Sequence, residues 1–240
     1  MIQKFNNWIK LNESKNNFTN KIDYTCLKDN ITIDDVKQLC EDADENGFYA
    51  VCIKPDFVGT AQAFLDDSEV KVCTVISFPK GDDTTRAKMK ETDEAIKSGA
   101  DEIDMVMDYN KLKELSFVKD EEYEKIYEEV LDDVRGVAKI CHSDGVILKV
   151  IIETEELNFN QIKTACDICV SAGADFVKTS TGKSKTQKPF QDKVDKIKYM
   201  RKILPEYVKI KVSGGIRNME NINQVLPYVD RIGTSIIIEE

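Results

Sequence analysis

The chain has 240 residues, of which 41% are hydrophobic and 32% are charged. Its 34 Lys and Arg against 44 Asp and Glu give a formal net charge of −10, which disfavours contact with phosphate backbones and anionic membranes. We therefore expect no nucleic-acid partner and no membrane partner. The apolar share is large enough for a substantial core, which excludes wholesale disorder.

The first twenty residues lack the features of a targeting signal, because Lys4, Lys10 and Glu13 interrupt their apolar positions. The longest strongly apolar stretch, about residues 48–53, is far shorter than a membrane span. The seven cysteines are scattered, and an odd number of free thiols fits a reducing compartment. The sequence therefore predicts a soluble cytoplasmic protein.

The pair Cys166 and Cys169 has the C-x-x-C spacing of some zinc and redox sites. It lies within a predicted helix, has no second pair, and is not beside the only histidine, His142, in the sequence. Two small core-facing residues are the better interpretation. A single histidine also gives little support to a histidine-rich metal centre or a Ser-His-Asp hydrolase, so no metal site is expected.

Short β-rich runs alternate with amphipathic helical patterns along the chain. Strands are predicted around Asp23, Cys52, Val75, Met105, Val150, Val177, Ile210 and Ile232. Helices are predicted over about 34–46, 57–67, 84–98, 120–141, 158–171, 191–203 and 218–227. Eight strands separated by helices predict βα units and a parallel sheet.

A weak internal repeat indicates that one unit is used many times. Residues 98–104 resemble residues 172–178, and in each segment a glycine sits where a helix would end and a strand follows. No G-x-G-x-x-G motif follows the first strand, which argues against a dinucleotide-binding sheet. Because about 250 residues is typical of a (β/α)8 TIM barrel, we predict an α/β fold of that class, with residues 1–240 as a single domain.

Four charged residues interrupt strands that should be apolar on both faces: Asp104, Lys149, Lys178 and Lys211. Lys178 is followed by Thr179-Ser180-Thr181-Gly182 and Lys211 by Val212-Ser213-Gly214-Gly215, so both lie near the carboxyl ends of their strands, where barrel enzymes carry their catalytic groups. A structural salt-bridge cluster is the alternative, and for Lys149, which could pair with Asp104, it is the favoured one.

A pair of lysines suggests amine chemistry. An isolated lysine has a pKa of about 10.4, so roughly one amine in two thousand is neutral at pH 7. A second ammonium and burial both disfavour the charged form, and a fall of about three units would make about half of such an amine nucleophilic. A lysine of this kind could form a Schiff base with a carbonyl substrate without a metal, but these residues alone do not say which lysine it would be.

Glycine and hydroxyl clusters follow the late strands and suggest a phosphate site. Backbone N–H groups at such glycines can approach an anion, and barrels often bind phosphate beyond strands 7 and 8. Lys183, Lys185 and Lys188 add a basic loop to an acidic protein. Glycines that merely serve turns are the alternative. The candidate phosphate-binding residues are Thr181, Gly182, Lys183, Gly214, Gly215, Gly233, Thr234 and Ser235.

Several of these segments resemble the signature segments of the deoxyribose-phosphate aldolase family. They are residues 177–182 (VKTSTG), 211–217 (KVSGGIR), 73–81 (CTVISFPKG), 102–106 (EIDMV) and 148–154 (LKVIIET). The resemblance extends from about Ile22 to Ser235, with the segments in the family's order.

The resemblance implies a class I aldolase that reversibly cleaves 2-deoxy-D-ribose 5-phosphate to acetaldehyde and D-glyceraldehyde 3-phosphate. It implies that Lys178 forms the Schiff base, that Lys211 favours its neutral amine and assists proton transfer, and that Asp104 acts with a water as general acid and base. No cofactor is implied, and a homodimer is possible by analogy. The supporting residues by the same resemblance are Asp23, which would pair with Lys211, and Thr25, Cys52 and Lys149.

The chain departs from the family pattern at its end. After Gly233-Thr234-Ser235, Ile236 begins an apolar run where many members carry another small or hydroxyl residue. The last residues are Glu239 and Glu240, so we expect a shortened C-terminal helix, together with a helical extension at the N-terminus.

Two other functions fit a barrel with these residues. One is a Schiff-base lyase that acts on a different sugar phosphate, and the other is a catalytically silent barrel that binds a sugar phosphate. The presence of Asp104, Lys178 and Lys211 together argues against the silent barrel, because binding alone does not need all three.

Overall fold

A computed structural model describes residues 18–235, and eight parallel strands form the centre of this part of the chain. The strands are β1 (Ile22–Cys26), β2 (Ala50–Ile53), β3 (Lys71–Ile76), β4 (Glu102–Val106), β5 (Ile147–Ile151), β6 (Phe176–Lys178), β7 (Lys209–Val212) and β8 (Arg231–Thr234). Each strand pairs with the next in the chain, and β8 pairs with β1 to close the barrel.

Helices follow the strands and cover the outside of the barrel. They are α1 (Ile33–Glu45), α2 (Val58–Phe64), α3 (Thr85–Lys97), α4 (Tyr109–Glu114), α5 (Asp120–Ser143), α6 (Phe159–Ala172), α7 (Phe190–Ile203) and α8 (Met219–Val225). Short 3₁₀ turns occupy Thr19–Lys21, Pro55–Phe57, Thr154–Glu156 and Leu226–Tyr228.

The (β/α)8 barrel predicted from the sequence is confirmed, and each predicted strand centre lies in a strand. The seven predicted helices are present, with shifts of a few residues at their ends. The short helix α4 was not predicted, because six residues are too few to display a helical period. The predicted N-terminal extension and C-terminal helix concern residues 1–17 and 236–240, which lie outside the described residues.

Local sequence signals explain where several helices begin and end. Thr32 and Asp35 form a capping box at the start of α1, and Asn158 and Gln161 form another at the start of α6. These side chains satisfy backbone N–H groups that have no partner inside the helix. Helix α6 ends at Gly173, whose φ of +85° is available to glycine without a side-chain clash.

The hydrophobic core lies between the barrel and its helices, and the cysteines belong to it. Cys166 and Cys169 are buried in α6, and burial raises the pKa of Cys166 to about 12, as expected for structural thiols. All seven cysteines are unpaired. Within residues 18–235, no helix combines the length and the apolar character needed to cross a bilayer.

Candidate active site

Within residues 18–235, seven charged side chains lie inside the barrel, where a core of apolar side chains would be expected. They are Asp23, Glu102, Asp104, Lys149, Lys178, Lys211 and Arg231, each on a strand and each almost completely buried. When all are ionised, the three acids and four bases leave one excess positive charge. Buried charges are tolerated only when they are paired, so the contacts within this cluster decide what it can do.

The strand register brings these side chains together. Asp104 on β4 is the direct neighbour of Lys149 on β5, and Lys178 on β6 is the direct neighbour of Lys211 on β7. Lys211 in turn is the neighbour of Arg231 on β8. Residues in register on adjacent parallel strands project to the same face of the sheet, so their side chains converge inside the barrel.

Asp104 is the centre of the cluster. Its Oδ2 accepts hydrogen bonds from the ammonium groups of Lys178, at 2.6 Å, and Lys211, at 2.7 Å. Its Oδ1 accepts from Lys149 at 2.9 Å and from the thiol of Cys73 at 3.2 Å. Two lysines on neighbouring strands therefore share a single carboxylate oxygen.

The other two acids bind the remaining cations. Asp23 forms an ion pair with Lys211 and accepts a hydrogen bond from the guanidinium of Arg231 at 2.8 Å. Glu102 lies 2.6 Å from the ammonium of Lys149 and 3.4 Å from the guanidinium of Arg231. The predicted pairs Asp23–Lys211 and Asp104–Lys149 are both confirmed.

Lys178 has the fewest acidic partners of the four cations. Among the acids of residues 18–235, its ammonium pairs only with Asp104, whereas Lys149, Lys211 and Arg231 each contact two or more of the carboxylates. Its side chain is 4% exposed, while those of Lys149 and Lys211 are at 0%. Lys178 is also the last residue of its strand, and it is the most exposed of the three lysines.

The carboxylates control the charge of the deeper lysines. Burial disfavours the ammonium form of Lys211, but Asp104 and Asp23 outweigh burial and raise the pKa of Lys211. Burial likewise opposes ionisation of Asp104, yet Lys149, Lys178 and Lys211 hold the pKa of Asp104 well below its usual value. Asp104 is therefore a carboxylate and Lys211 an ammonium at neutral pH.

Thr25 and Cys52 lie beside the cluster without joining its ion pairs. The hydroxyl of Thr25 donates to the carbonyl of Asp23 at 3.0 Å. Cys52 is buried next to Cys73 in the strand register, in a group of small apolar residues on the β2–β3 side of the barrel. A hydrogen bond with Cys73 lowers the pKa of Cys52, although burial opposes this.

In the part of the chain that the structure describes, two groups of side chains have enough acidic or thiol ligands near one another for a metal ion: Cys52, Cys73 and Asp104, and Asp23, Cys73 and Glu102. The carboxylates in both groups already bind ammonium or guanidinium groups. A metal cation would have to displace those cations, so this donor set suits lysine chemistry better than metal binding.

The candidate phosphate-binding residues after β6 lie near the barrel mouth. Gly182 has a φ of +76° and is exposed, as is Lys183. The Thr181 hydroxyl accepts from the Lys183 N–H at 3.0 Å, and both the Thr181 hydroxyl and N–H donate to the buried carboxylate of Glu153. Glu153 therefore holds the first turn of this loop.

The glycines after β7 meet the same loop. Gly214 has a φ of +76°, and a Cβ at this position would lie 3.1 Å from the Cβ of Ser180 and 3.4 Å from the Cα of Gly182. Only glycine allows the two loops to approach this closely. Gly215 has a φ of +78° and no atom within 4 Å of its Cβ position, so space remains beside its backbone.

The candidates on β8 are placed differently from those on the two loops. Gly233 lies within the strand, and a Cβ there would be 3.2 Å from the Cε of Lys211. Thr234 is buried and donates to the carbonyl of Ile216 at 3.0 Å. Gly233 thus leaves room for Lys211, Thr234 holds the loop after β7, and Ser235 is the exposed candidate of the three.

Sequence reasoning missed four residues of this region: Glu102, Glu153, Lys193 and Arg231. Glu102 and Arg231 are the first residues of strands, where a charged residue does not break the apolar pattern of the strand interior. Lys193 lies on the amphipathic helix α7, where a lysine is usually solvated. Its ammonium instead donates to the Ser180 hydroxyl at 2.7 Å and the Ser213 carbonyl at 2.8 Å, and also contacts Glu155.

Comparison with known proteins places this arrangement in a family. The family model described as "DeoC/LacD family aldolase" matches residues 18–229. A deoxyribose-phosphate aldolase of Caldanaerobacter subterraneus subsp. tengcongensis is 42% identical over 236 residues, which cover 97% of this chain and 96% of that protein. One from Caldicellulosiruptor saccharolyticus is 44% identical over 215 residues, which cover 89% of this chain and 92% of that protein.

A solved structure agrees with these sequence relatives. The tetrameric deoxyribose phosphate aldolase from Aeropyrum pernix superposes with a TM-score of 0.77 and 30% sequence identity. The match covers 91% of this chain and 86% of that one. The family model and the relatives span the strands that carry the buried lysines and Asp104, and the chain belongs to the DeoC/LacD family of aldolases.

Proposed function

We propose that this protein catalyses the reversible cleavage of 2-deoxy-D-ribose 5-phosphate to acetaldehyde and D-glyceraldehyde 3-phosphate, with Lys178 forming the Schiff base. The observation that carries the proposal is the shared carboxylate oxygen of Asp104, which binds both Lys178 and Lys211. The sequence relatives named deoxyribose-phosphate aldolase support the choice of substrate.

The choice of Lys178 over Lys211 follows from their partners. A nucleophilic amine must lose its proton, and each carboxylate that contacts the ammonium makes that loss more costly. Lys211 would give up favourable contacts with both Asp23 and Asp104, whereas Lys178 would give up only a share of Asp104. The cluster has one excess positive charge, so a neutral Lys178 leaves every carboxylate with a cationic partner.

The reaction then proceeds in bond-by-bond steps. The amine of Lys178 adds to the C1 aldehyde of the open-chain sugar, and loss of water gives an iminium ion. The C2–C3 bond breaks as a base removes the proton of the C3 hydroxyl, and the bonding electrons move to the iminium nitrogen. D-Glyceraldehyde 3-phosphate leaves, the enamine takes a proton at C2, and hydrolysis releases acetaldehyde and the amine.

Asp104 and Lys211 have complementary parts in these proton transfers. Asp104 carries no proton at rest, so it can accept one directly or through a water when the C3 hydroxyl is deprotonated. Lys211 stays protonated, so its ammonium can stabilise developing negative charge and return a proton. Asp23 and Lys149 hold these two groups in place, and Thr25 and Cys52 line the adjoining wall.

The phosphate end of the substrate would lie at the loops beyond β6, β7 and β8. Gly182, Gly214 and Gly215 have positive φ, as glycines in anion-binding backbone turns do, and Lys183 adds a positive charge. We assign the phosphate contacts to Thr181, Gly182, Lys183, Gly214, Gly215 and Ser235, with Gly233 and Thr234 forming the floor of the phosphate site.

Assembly as a homodimer and a cytoplasmic location are also part of the proposal. Sedimentation of the purified protein tests the first, and imaging of the tagged chain in cells tests the second.

Borohydride reduction followed by peptide mass mapping tests the chemistry. Reduction in the presence of acetaldehyde or 2-deoxyribose 5-phosphate should leave a stable two-carbon adduct on Lys178, while the Lys178→Met variant should remain unlabelled. An adduct on Lys211 would keep the reaction and reverse the two lysines. Labelling by a ketose phosphate such as fructose 1,6-bisphosphate, without turnover of 2-deoxyribose 5-phosphate, would assign a different substrate. Folded protein without any adduct would disprove the aldolase proposal.

A further inference from the structure

The loop after β5 carries three acidic residues that bind the candidate phosphate loop. Glu153 accepts from Thr181, Glu155 accepts from Ser180 at 2.6 Å, and Glu156 accepts from Ser184 at 2.6 Å. Acidic residues beside a phosphate site are unexpected, because they repel the anion. Because these acids accept hydrogen bonds from loop hydroxyls, they hold the loop and do not bind the substrate.

Glu153 is the most deeply buried of the three acids. It lies two residues beyond β5, is only 1% exposed, and has a left-handed φ of +54° although it is not glycine. Such a backbone persists only where the surroundings enforce it. Here the Thr154 N–H donates to the Thr179 carbonyl at 2.7 Å, and the ammonium of Lys196 donates to the Thr154 carbonyl at 2.8 Å.

The carboxylate of Glu153 binds Thr181 in the next loop, and Thr181 in turn binds Lys183. It accepts from the Thr181 N–H at 3.2 Å and from the Thr181 hydroxyl, and that hydroxyl accepts from the Lys183 N–H at 3.0 Å. Gly182 lies between these residues and packs against Gly214 of the following loop. The position of one buried carboxylate thus sets the geometry of both loops.

Burial and the neighbouring Glu155 affect the protonation of Glu153. Glu155 makes a hydrogen bond with Glu153, and burial together with Glu155 raises the pKa of Glu153 to about 7. Burial also opposes ionisation of Glu155, but Lys193 outweighs it and lowers the pKa of Glu155. Glu153 therefore keeps its proton in part near neutral pH, which limits the negative charge presented to an incoming phosphate.

We infer that Glu153 is a positioning residue that sets the preference of this enzyme for phosphorylated over unphosphorylated substrate, acting through Thr181 and Lys183 rather than touching the substrate. The inference rests on the proposed function for the identity of the substrate. Its structural content, that Glu153 organises an anion-binding loop, can be measured without catalysis.

The test compares wild type with Glu153→Ala, Glu153→Gln and, as a matched control, Glu206→Ala at an exposed acid far along the chain. Binding of inorganic phosphate is measured by calorimetry, and kcat/KM is measured with 2-deoxyribose 5-phosphate and with 2-deoxyribose. Losing the hydrogen bonds between Glu153 and Thr181 should weaken phosphate binding and raise KM for the phosphorylated sugar about tenfold in Glu153→Ala. For 2-deoxyribose, kcat/KM should change less than about twofold.

Glu153→Gln keeps an acceptor for the Thr181 N–H and is expected to recover most of the loss, which separates positioning from misfolding. Equal losses with both sugars, or unchanged phosphate binding in Glu153→Ala, would overturn the inference. Tighter phosphate binding would also overturn it, because Glu153 would then compete with phosphate for Thr181. If the wild-type protein binds phosphate and cleaves neither sugar, the proposed function fails while the calorimetry still decides the role of Glu153.

Discussion

Without the positive charge of Lys178, each buried carboxylate still has a cationic partner. We therefore expect two results for the Lys178→Met variant. Turnover should fall by at least about a thousandfold, because the proposed nucleophile is removed. The midpoint of thermal unfolding should stay the same or rise, because the remaining three cations balance Asp23, Glu102 and Asp104. Activity assays and thermal unfolding followed by circular dichroism measure the two effects.

Lys149→Met is the matched control for Lys178→Met. It removes a buried lysine of the same size, but Glu102 and Asp104 then lose a partner that lies 2.6 and 2.9 Å away. Breaking such a pair costs about 3–5 kcal/mol, so this variant should unfold at a clearly lower temperature than Lys178→Met. Equal destabilisation of the two variants would contradict the argument from partner number.

Lys211→Leu tests the influence of one lysine on the other. Removing this ammonium takes away a positive charge that shares Asp104 Oδ2 with Lys178. The rate should fall, and the rising limb of the pH–rate profile should move to higher pH, because the neutral amine is no longer favoured by a neighbouring cation. A variant that is slower at every pH by one constant factor would show that Lys211 has no such influence.

Much of the site could be predicted from single residues. Charged residues inside apolar strands identified Asp104, Lys149, Lys178 and Lys211, because an inward charge violates the expected pattern of a parallel strand. Glu102 and Arg231 gave no such signal, since each begins its strand, and only the closed barrel shows that they point inward. The number of partners around each lysine depends on contacts across the barrel, which no local pattern contains.

Two buried lysines of helix α7 contact the loops at the barrel mouth. Lys193 contacts Glu155, Ser180 and Ser213, and Lys196 donates to the carbonyl of Thr154. One helix therefore holds the loops after β5, β6 and β7 together. A helix that merely covered the barrel would use apolar side chains at these positions.

Lys193→Met should affect both stability and substrate affinity. It leaves Glu155 without its cationic partner and frees Ser180 and Ser213, so we expect a loss of about 2–4 kcal/mol in unfolding free energy. KM for the phosphorylated sugar should rise as well. Lys198→Met, on the exposed side of the same helix, is the control and should change neither quantity appreciably. Denaturant unfolding and steady-state kinetics distinguish the variants, and identical behaviour of both would refute this role of α7.

Helices and strands could be predicted well where their pattern was long enough. The capping residues Thr32 and Asn158 and the glycine after α6 place their helix ends within a residue or two. Helix α4 was missed because its capping residue Asp108 and six helical residues do not complete two turns. The lysines of α7 could not be assigned, because a lysine on an amphipathic helix is usually solvated.

At the scale of the whole molecule, Arg231 joins the last strand to the first. Its guanidinium binds Asp23 and Glu102 and lies 3.3 Å from the centre of the Tyr49 ring. Arg231→Met should destabilise the barrel by about 3–5 kcal/mol, because two buried acids lose a partner. Arg231→Lys should recover part of that loss. Denaturant unfolding measures both variants, and a fully stable Arg231→Met protein would show that the pair does not help to close the barrel.

The pH dependence of global stability offers a separate test. In the folded state Glu153, whose pKa is raised to about 7, keeps a proton that an unfolded chain releases near its ordinary value of 4.5. The stability contributed by that proton is complete below pH 4.5 and is lost as pH rises through 7. Glu153→Gln should remove this loss, so its stability relative to wild type should increase by up to about 3 kcal/mol between these pH values.

Denaturant unfolding at several pH values, with Glu206→Gln as the exposed control, measures the difference. Curves for wild type and Glu153→Gln that run parallel from pH 4.5 to 7 would refute the assigned titration. Wild type and variant share all the other groups that titrate in this range, so the contributions of those groups to the free energy of unfolding cancel in the comparison.

The barrel itself could be predicted from the number of βα units and the chain length, since neighbouring strands in sequence are neighbours in space. The seam between β1 and β8 could be expected from closure, but the charges that meet there could not. Asp23 and Arg231 are 208 residues apart, and no periodic pattern relates positions at that separation.

The same separation matters while the chain is being made. Asp23 leaves the ribosome long before Arg231, and at about 5–20 residues per second the 208 intervening residues take roughly 10–40 s to synthesise. Until then the inside of the nascent barrel holds an acid without its final counterion. Closure around the first strands before then would bury Asp23 ahead of its cationic partners Lys211 and Arg231, which costs free energy.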